Sequence, residues 1–204
     1  MISPSWLKAD VSRETMDLLE AFVGLVKKWN PSINLISKTS MDDIWDRHIW
    51  DSAQVFDIQG VNGLWADLGS GGGLPAIVLS IMAKQHAQES VVHMVESDRR
   101  KCAFLRTAVR ELGLKAKVTT ERIEEMVPLN ADVVSARALT DLNGLLSFAD
   151  QHCAQNGTAI FLKGETWQKE LESAQENWSF EYEDHKSQTN PGAVILKIKD
   201  IARV

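Results

Sequence analysis

Four of the chain's 12 glycines fall within five residues, Gly69 and Gly71 to Gly73, in the stretch DLGSGGGLP. The run follows a short apolar segment, Leu64-Trp65-Ala66, and precedes a helical pattern, so it sits at a strand-to-helix joint. In a doubly wound sheet, ligands bind at the carboxyl ends of the central strands. Glycine there lets a ligand approach the backbone closely. The spacing is Asp67-x-Gly69-x-Gly71-x-Gly73. Leu74 stands where a dinucleotide fingerprint needs its third glycine, and no Gly-Lys-Ser/Thr follows to make a triphosphate loop. The next apolar run, VVHMVES, closes on Glu96, where a carboxylate can accept hydrogen bonds from ribose hydroxyls. A third run ends in Glu121-Arg122-Ile123-Glu124, where a backbone amide and a side chain could hold an adenine. Together these sites describe an adenosine-bearing ligand with no pyrophosphate to neutralise.

The elements that must position these residues alternate. From Leu64 onward, seven segments with strand character are separated by helical ones, and the last two, WSFEYEDHK and AVILKIKD, are joined through the turn residues of SQTNPG. Alternation predicts an α/β fold, a mostly parallel seven-stranded sheet with helices on both faces, and a last strand running antiparallel at or near an edge. Before it lies a helical part. Met16, Leu19, Phe22, Val23, Val26 and Trp29 recur at steps of three and four, predicting a helix from Ser12 to Trp29 that Asn30-Pro31 ends. A second helix is expected over Ser40 to Phe56. The turn Gly60 to Gly63 divides an N-terminal helical extension, residues 1–62, from a ligand-binding core, residues 63–204.

Composition sets limits. A chain of 204 residues, 44% hydrophobic, can bury a core without disulfides. Cys102 and Cys153 both fall in helix-like stretches and show no metal-ligand spacing, so neither a disulfide framework nor a zinc site is expected. No leader pattern or membrane-spanning apolar run is evident, and the expected setting is a reducing cytoplasm with no membrane partner. Nothing demands a partner chain, so a monomer is expected. The net charge of −6 argues against a general nucleic-acid binder, so any RNA contact needs a local basic patch. Arg99, Arg106 and Arg110 supply one, falling within about 40° of each other on one helix face. Seven tryptophans are expected mainly as core and packing residues.

The D-x-G-x-G-x-G run with the later acid resembles the Rossmann-like, class I methyltransferases that use S-adenosyl-L-methionine. The end of the fourth strand, where that class places target chemistry, reads Ser135-Ala136-Arg137-Ala138. It lacks the N-P-P-Y pattern used on exocyclic amines and the cysteine needed for covalent addition to a pyrimidine. An arginine suits a nucleophile that is already competent, such as guanine N7, whose lone pair carries no proton and needs alignment more than a base.

A closer resemblance rests on an ordered set: Trp29-Asn30, Asn34-Leu35, Arg47-His48-xx-Asp51-Ser52, the glycine run through Leu74-Pro75, Glu96-Ser97, Lys101-xx-Phe104-Leu105, Arg122-x-Glu124-Glu125, Ser135 to Ala138 and Leu162-Lys163-Gly164. In this the chain resembles the bacterial 16S ribosomal RNA guanine-N7 methyltransferases, the RsmG or GidB family, from about Trp29 to Gly164. Ala76 departs from the pattern, where the family often has a second glycine. The resemblance implies that Gly69 and Leu74 line the cofactor pocket, that Ile123 and Glu124 meet the adenine, and that Arg137 contacts cofactor or substrate. It implies a substrate-side role for Asn34, Arg47, His48 and Asp51, with His48 and Asp51 framing the guanine and Asp51 offsetting the charge that N7 gains. Lys163, at the end of the fifth strand, is a candidate phosphate contact. The implied partner is 16S rRNA of the small ribosomal subunit. Two other readings stay open: a methyltransferase of small molecules or proteins, and a non-enzymatic S-adenosylmethionine-binding assembly factor. A nicotinamide oxidoreductase is disfavoured by Leu74.

Overall fold

The computed structural model describes residues 3–86 and 89–204; Met1 and Ile2 of the N-terminal extension lie outside the described residues. The extension begins with α1 (Arg13–Ile33), capped by Ser12, whose Oγ accepts from the Thr15 amide at 3.1 Å. Its buried stripe is Met16, Leu19, Phe22, Val23 and Val26, as the three-and-four spacing predicts. The helix does not stop at Asn30-Pro31. It runs on to Ile33 through Pro31, which has no N–H for a bond to the preceding turn, and the end is secured beyond it. The Asn34 amide bonds Asn30 O at 3.0 Å with Asn34 left-handed (φ 50°), and the Asn30 side chain accepts from the Ile36 amide at 2.9 Å.

The second expected helix is broken into three pieces. These are a 3₁₀ turn (Lys38–Ser40), a π-helical turn (Trp45–Trp50) and α2 (Asp51–Gln59). Single π turns within helices recur at functional sites, and here the wide turn carries Arg47 and His48.

The core then alternates: β1 (Leu64–Leu68), α3 (Ala76–His86), β2 (Val91–Glu96), α4 (Arg99–Glu111), β3 (Ala116–Thr120), β4 (Ala131–Arg137), α5 (Leu142–His152), β5 (Cys153–Lys163), α6 (Trp167–Gln175), β6 (Trp178–Lys186) and β7 (Val194–Arg203). Cys153 therefore opens a strand, pairing with Ala131, rather than lying in a helix; both cysteines are free. The sheet order is β3-β2-β1-β4-β5-β7-β6. Every pairing is parallel except those of β7, which lies one strand in from the edge. The register sets Asp67 beside Ser135 and Leu68 beside Ala136, so the ends of β1, β2 and β4 open on one rim.

Side chains alternate across the sheet and divide the core. One face, with Trp65, Met94 and Ile160, packs on the helices α1 to α4 through Phe22, Ile77 and Phe104. The other, with Phe161 and Leu196, packs on α5 and α6 through Leu145, Leu146 and Leu171. The extension is part of the first layer: Phe22 and Trp29 of α1 set their rings 6.4 and 5.9 Å from that of Phe104 on α4. None of the seven tryptophans is exposed.

Candidate active site

Two cavities open at this rim, separated by residues they share. The first, about 570 Å³, is floored by the glycine loop and walled by the ends of β2 and β3 and by Leu35 to Ser37 of the extension. The second, about 480 Å³, lies toward the β6–β7 loop. Arg47, Arg137 and Ala138 line both.

The loop is built by hydrogen bonds that need glycine. The Gly69 and Ser70 amides donate to Val95 O at 2.9 and 3.1 Å, which ties the loop to β2. Gly69 has φ 68°, and a Cβ there would sit 2.7 Å from Leu139 Cδ1 across the cavity mouth. Gly73 (φ 81°) faces inward, where a Cβ would come within 2.5 Å of Ile77 Cγ1. Gly69, Gly71 and Leu74 line the first cavity; Gly73 lets the loop pass tightly into α3.

Glu96 ends β2 almost fully buried. Its Oε2 accepts from the Gly71 amide at 2.9 Å and its Oε1 from the Asp98 amide at 2.8 Å. Each oxygen keeps lone pairs for a hydroxyl in the cavity. Ile123 and Glu124 reach the same cavity from a 3₁₀ turn (Ile123–Glu125) after β3.

Asp67 lies beneath the floor. Its Oδ1 accepts from Ser135 Oγ at 2.6 Å, and that hydroxyl accepts from Trp65 Nε1 at 2.8 Å. Its Oδ2 is buried without a partner. Burial pushes its pKa up to about 6.

Arg137, the last residue of β4, forms the partition. Its Nη2 donates to Arg47 O at 3.0 Å and pairs with Asp51 Oδ2 at 3.5 Å, while its Nη1 is buried with no partner. His48 lines the first cavity beside it. Its Nε2 lies 2.9 Å from Ser40 Oγ, which also meets Ser37 O at 3.0 Å and Ser37 Oγ at 2.9 Å. Its Nδ1 is buried and unpartnered. Burial first, then the charges of Arg137 and Arg47, lower the His48 pKa to about 4, so the ring is neutral at pH 7.

The two residues expected to frame the guanine together are parted at the end of the π turn. His48 lines the first cavity and Asp51 the second. Asp51 is nine-tenths buried, and its Oδ1 accepts from Gln54 Nε2 (2.9 Å), Thr189 Oγ1 (2.8 Å) and Ser187 Oγ (3.2 Å).

The remaining expected residues are dispersed. Asn34 caps α1 and lines neither cavity; the residues after it do. Lys163 lines the second cavity, but its ammonium is mostly buried and donates to Glu170 Oε2 at 2.6 Å and Thr140 O at 3.1 Å, so it braces α6 against the β4–α5 joint instead of reaching toward solvent phosphate. Arg99, Arg106 and Arg110 lie exposed along α4, outside both cavities, with Arg106 Nη2 bonded to Thr120 Oγ1 at 2.6 Å. Lys101 and Arg122, present in the motif set but given no role there, bring charge to the first cavity itself. Ser40 and Gln54 were also missed. Gln54 carries a weak signal, a polar residue three after Asp51 on a helix, while the Ser40–His48 pair follows no repeat.

A mostly parallel sheet with a glycine loop, a buried carboxylate at the end of β2 and the turn after β3 around one cavity has the architecture of a Rossmann-like methyltransferase. The fold agrees: a methyltransferase from Geobacter sulfurreducens superposes with a TM-score of 0.58 at 14% identity, covering 97% of this chain and 91% of that one. The family model described as GidB, rRNA small subunit methyltransferase G, matches residues 15–196, and the chain belongs to that family. It is similar to the ribosomal RNA small subunit methyltransferase G of Ruegeria sp. strain TM1040, 53% identical over 97% of each chain. It is likewise similar to that of Ruegeria pomeroyi, 52% identical over the full length of both.

Proposed function

We propose that the protein methylates N7 of one guanine in 16S rRNA of the small ribosomal subunit, with S-adenosyl-L-methionine as methyl donor. The observation that carries the choice of atom is the shared wall of the two cavities. It presents Arg47 and Arg137, with a neutral His48 beside them in the first cavity, and none of the three takes up a proton readily at pH 7. An exocyclic amine would have to lose a proton during methylation, whereas guanine N7 has none to lose.

The first cavity fits the cofactor. It has room for an adenosine-sized group, Gly69 lines it at φ 68° without a side chain, and Glu96 keeps acceptor capacity at its side. The cofactor supplies an electrophilic methyl group. The chain does the rest. Glu96 accepts the ribose hydroxyls, Ile123 and Glu124 hold the adenine, and Gly69, Gly71 and Leu74 form the bed of the methionine part. Asp67 and Gly73 keep that bed in shape. The unpaired Nη1 of Arg137 is a donor for a carboxylate or carbonyl at the partition. His48 Nδ1 hydrogen-bonds the bound groups, and Asp51, paired with Arg137, offsets positive charge where N7 is alkylated. Arg47 at the mouth and Arg99, Arg106 and Arg110 along α4 face the RNA backbone.

The test is methyl transfer from labelled S-adenosylmethionine to small subunits from a strain lacking the gene, with free 16S RNA and large subunits alongside. Labelled N7-methylguanine at one site in the small subunit is expected. Label on another atom or another RNA would refute the assignment.

A further inference from the structure

The second cavity adjoins the first, since Arg47, Arg137 and Ala138 line both. An atom that is to be methylated must reach the first cavity, so the pocket that holds it must adjoin that cavity. Of the three cavities described, only this one does. The third lies among Ser80, Ser90 and Lys84 and shares no lining residue with the first.

Its walls are of three kinds. The partition carries the cations Arg47 and Arg137. The floor is apolar, with Leu162 and Ile195 from β5 and β7. The far wall is the β6–β7 loop, residues 187–193, with Thr189, Asn190 and Ala193 toward the space. At about 480 Å³ it has room for one nucleotide and not for a duplex.

The loop is fastened to the extension. Gln54 on α2 donates through Nε2 to Asp51 Oδ1 at 2.9 Å and to Ser187 Oγ at 3.2 Å, and its Oε1 accepts from the Gln188 amide at 3.0 Å. Asp51 is the acceptor for both loop hydroxyls and for Arg137. The far wall and the partition are thus held at a set separation by one buried polar network.

That network also fixes what the loop can offer. Thr189 gives its only hydroxyl proton to Asp51, so its oxygen is left as an acceptor. The Asn190 side-chain carbonyl accepts one bond, from the Gly192 amide at 3.2 Å, and keeps a second lone pair.

We propose that this second cavity receives the target guanosine, unstacked from the RNA. Its N7 edge faces the Arg47–Arg137 partition and its Watson–Crick edge faces residues 187–193. The inference rests on the guanine-N7 reading above. A purine with N7 at the partition turns N1 and the 2-position away from it, toward the loop. Guanine presents donors there, N1–H and the 2-amino group, to acceptors on Thr189 and Asn190. Adenine presents no donor at N1 or C2 and leaves those acceptors unpaired. Unstacking agrees with the general need to take a base out of its stack before chemistry is done on it.

The test uses two variants outside the cofactor cavity, Ala193→Trp to fill the second cavity and Asn190→Leu to remove an acceptor at its exposed rim. Transfer to small subunits and S-adenosylmethionine affinity by calorimetry are measured for each. Ala193→Trp is expected to keep the cofactor affinity of the unsubstituted enzyme and to lose nearly all transfer. Asn190→Leu is expected to lower kcat/KM about tenfold, the loss of one good base contact. With inosine, which lacks the 2-amino group, at the target position, the unsubstituted enzyme should slow by a similar factor and Asn190→Leu should slow no further. Full transfer by Ala193→Trp at unchanged cofactor affinity would overturn the inference alone. If Ala193→Trp no longer binds cofactor, Asn190→Leu decides, and guanine and inosine used equally by the unsubstituted enzyme would overturn it. Absence of N7-methylguanine with the unsubstituted enzyme would remove the functional reading and this inference with it.

Discussion

Asp67 heads the glycine motif, yet it touches neither cavity and serves from below. Its carboxyl, with one oxygen bonded by Ser135 and the other unpartnered, keeps its proton to about pH 6, against an ordinary 3.8. Between those values the folded chain binds more protons than the unfolded one. The stability this group contributes is therefore full below its unfolded pKa and lost as pH rises through 6. Asp67→Asn removes the buried charge while keeping an oxygen for Ser135. It should raise Tm at pH 8 by a few degrees, since 1 kcal/mol moves Tm by roughly 2–4 °C in a chain of this size, and change little near pH 4. Scanning calorimetry at the two pH values checks this. A lower Tm at pH 8 would mean that Arg137 keeps the carboxylate ionised. His48 moves the other way and stays neutral at pH 7, with its Nδ1 buried and unpartnered.

Elements turn such residues into a site through where they bend. The loop after β1 is bound edgewise to β2 by two amide bonds to Val95 O, which only a chain with repeated positive φ can make so soon after a strand. Two alanine substitutions separate this use of glycine from a generic one. Gly69→Ala forces a Cβ to 2.7 Å from Leu139 at φ 68°, so cofactor affinity should fall tenfold or more, a cost of about 1.4 kcal/mol. Gly24 lies inside α1 with nothing within 4 Å of a built Cβ, so Gly24→Ala should stabilise the fold by about 0.5–1 kcal/mol and leave affinity unchanged. Calorimetric binding and denaturant unfolding of both variants give the comparison. Equal affinities would assign the glycines to folding alone. At the end of the π turn, Trp45–Trp50, the chain parts His48 in one cavity from Asp51 in the other, on either side of Arg137.

The N-terminal helices are one layer of the core. Phe22 and Leu19 are fully buried, Phe104 on α4 lies under α1, and Leu35 to Ser37 wall the first cavity. A chain cut to residues 63–204 should therefore aggregate or lose cooperative unfolding, because it bares one sheet-side helical layer to water. Size-exclusion chromatography and calorimetry test this; a soluble 63–204 fragment that unfolds cooperatively and binds S-adenosylmethionine would make the extension an appendage. The chain is acidic, 28 Asp and Glu against 22 Lys and Arg, so under the proposed function RNA contact falls to local cations: Arg47 at the mouth, Lys101 and Arg122 in the cavity wall, and the exposed row on α4.

The glycine run, the acid ending the next strand and the alternation of apolar segments were readable without coordinates, because they follow from local needs: positive φ, strand ends and a period of two or 3.6. So was the antiparallel strand near the edge, since no helix joins the last two strands. Residues whose work depends on distant partners were not. Lys163 reads as a phosphate hook until Glu170 and Thr140 O are seen holding it. Pro31 reads as a helix end until the Asn34 cap closes the turn beyond it. Asp51 reads as framing the guanine with His48 until the two are seen lining different cavities and Gln54, Ser187 and Thr189, the last two more than 130 residues away, take up its oxygen. Hydrogen bonds across such separations leave no periodic trace in the chain, and folding alone brings their ends together.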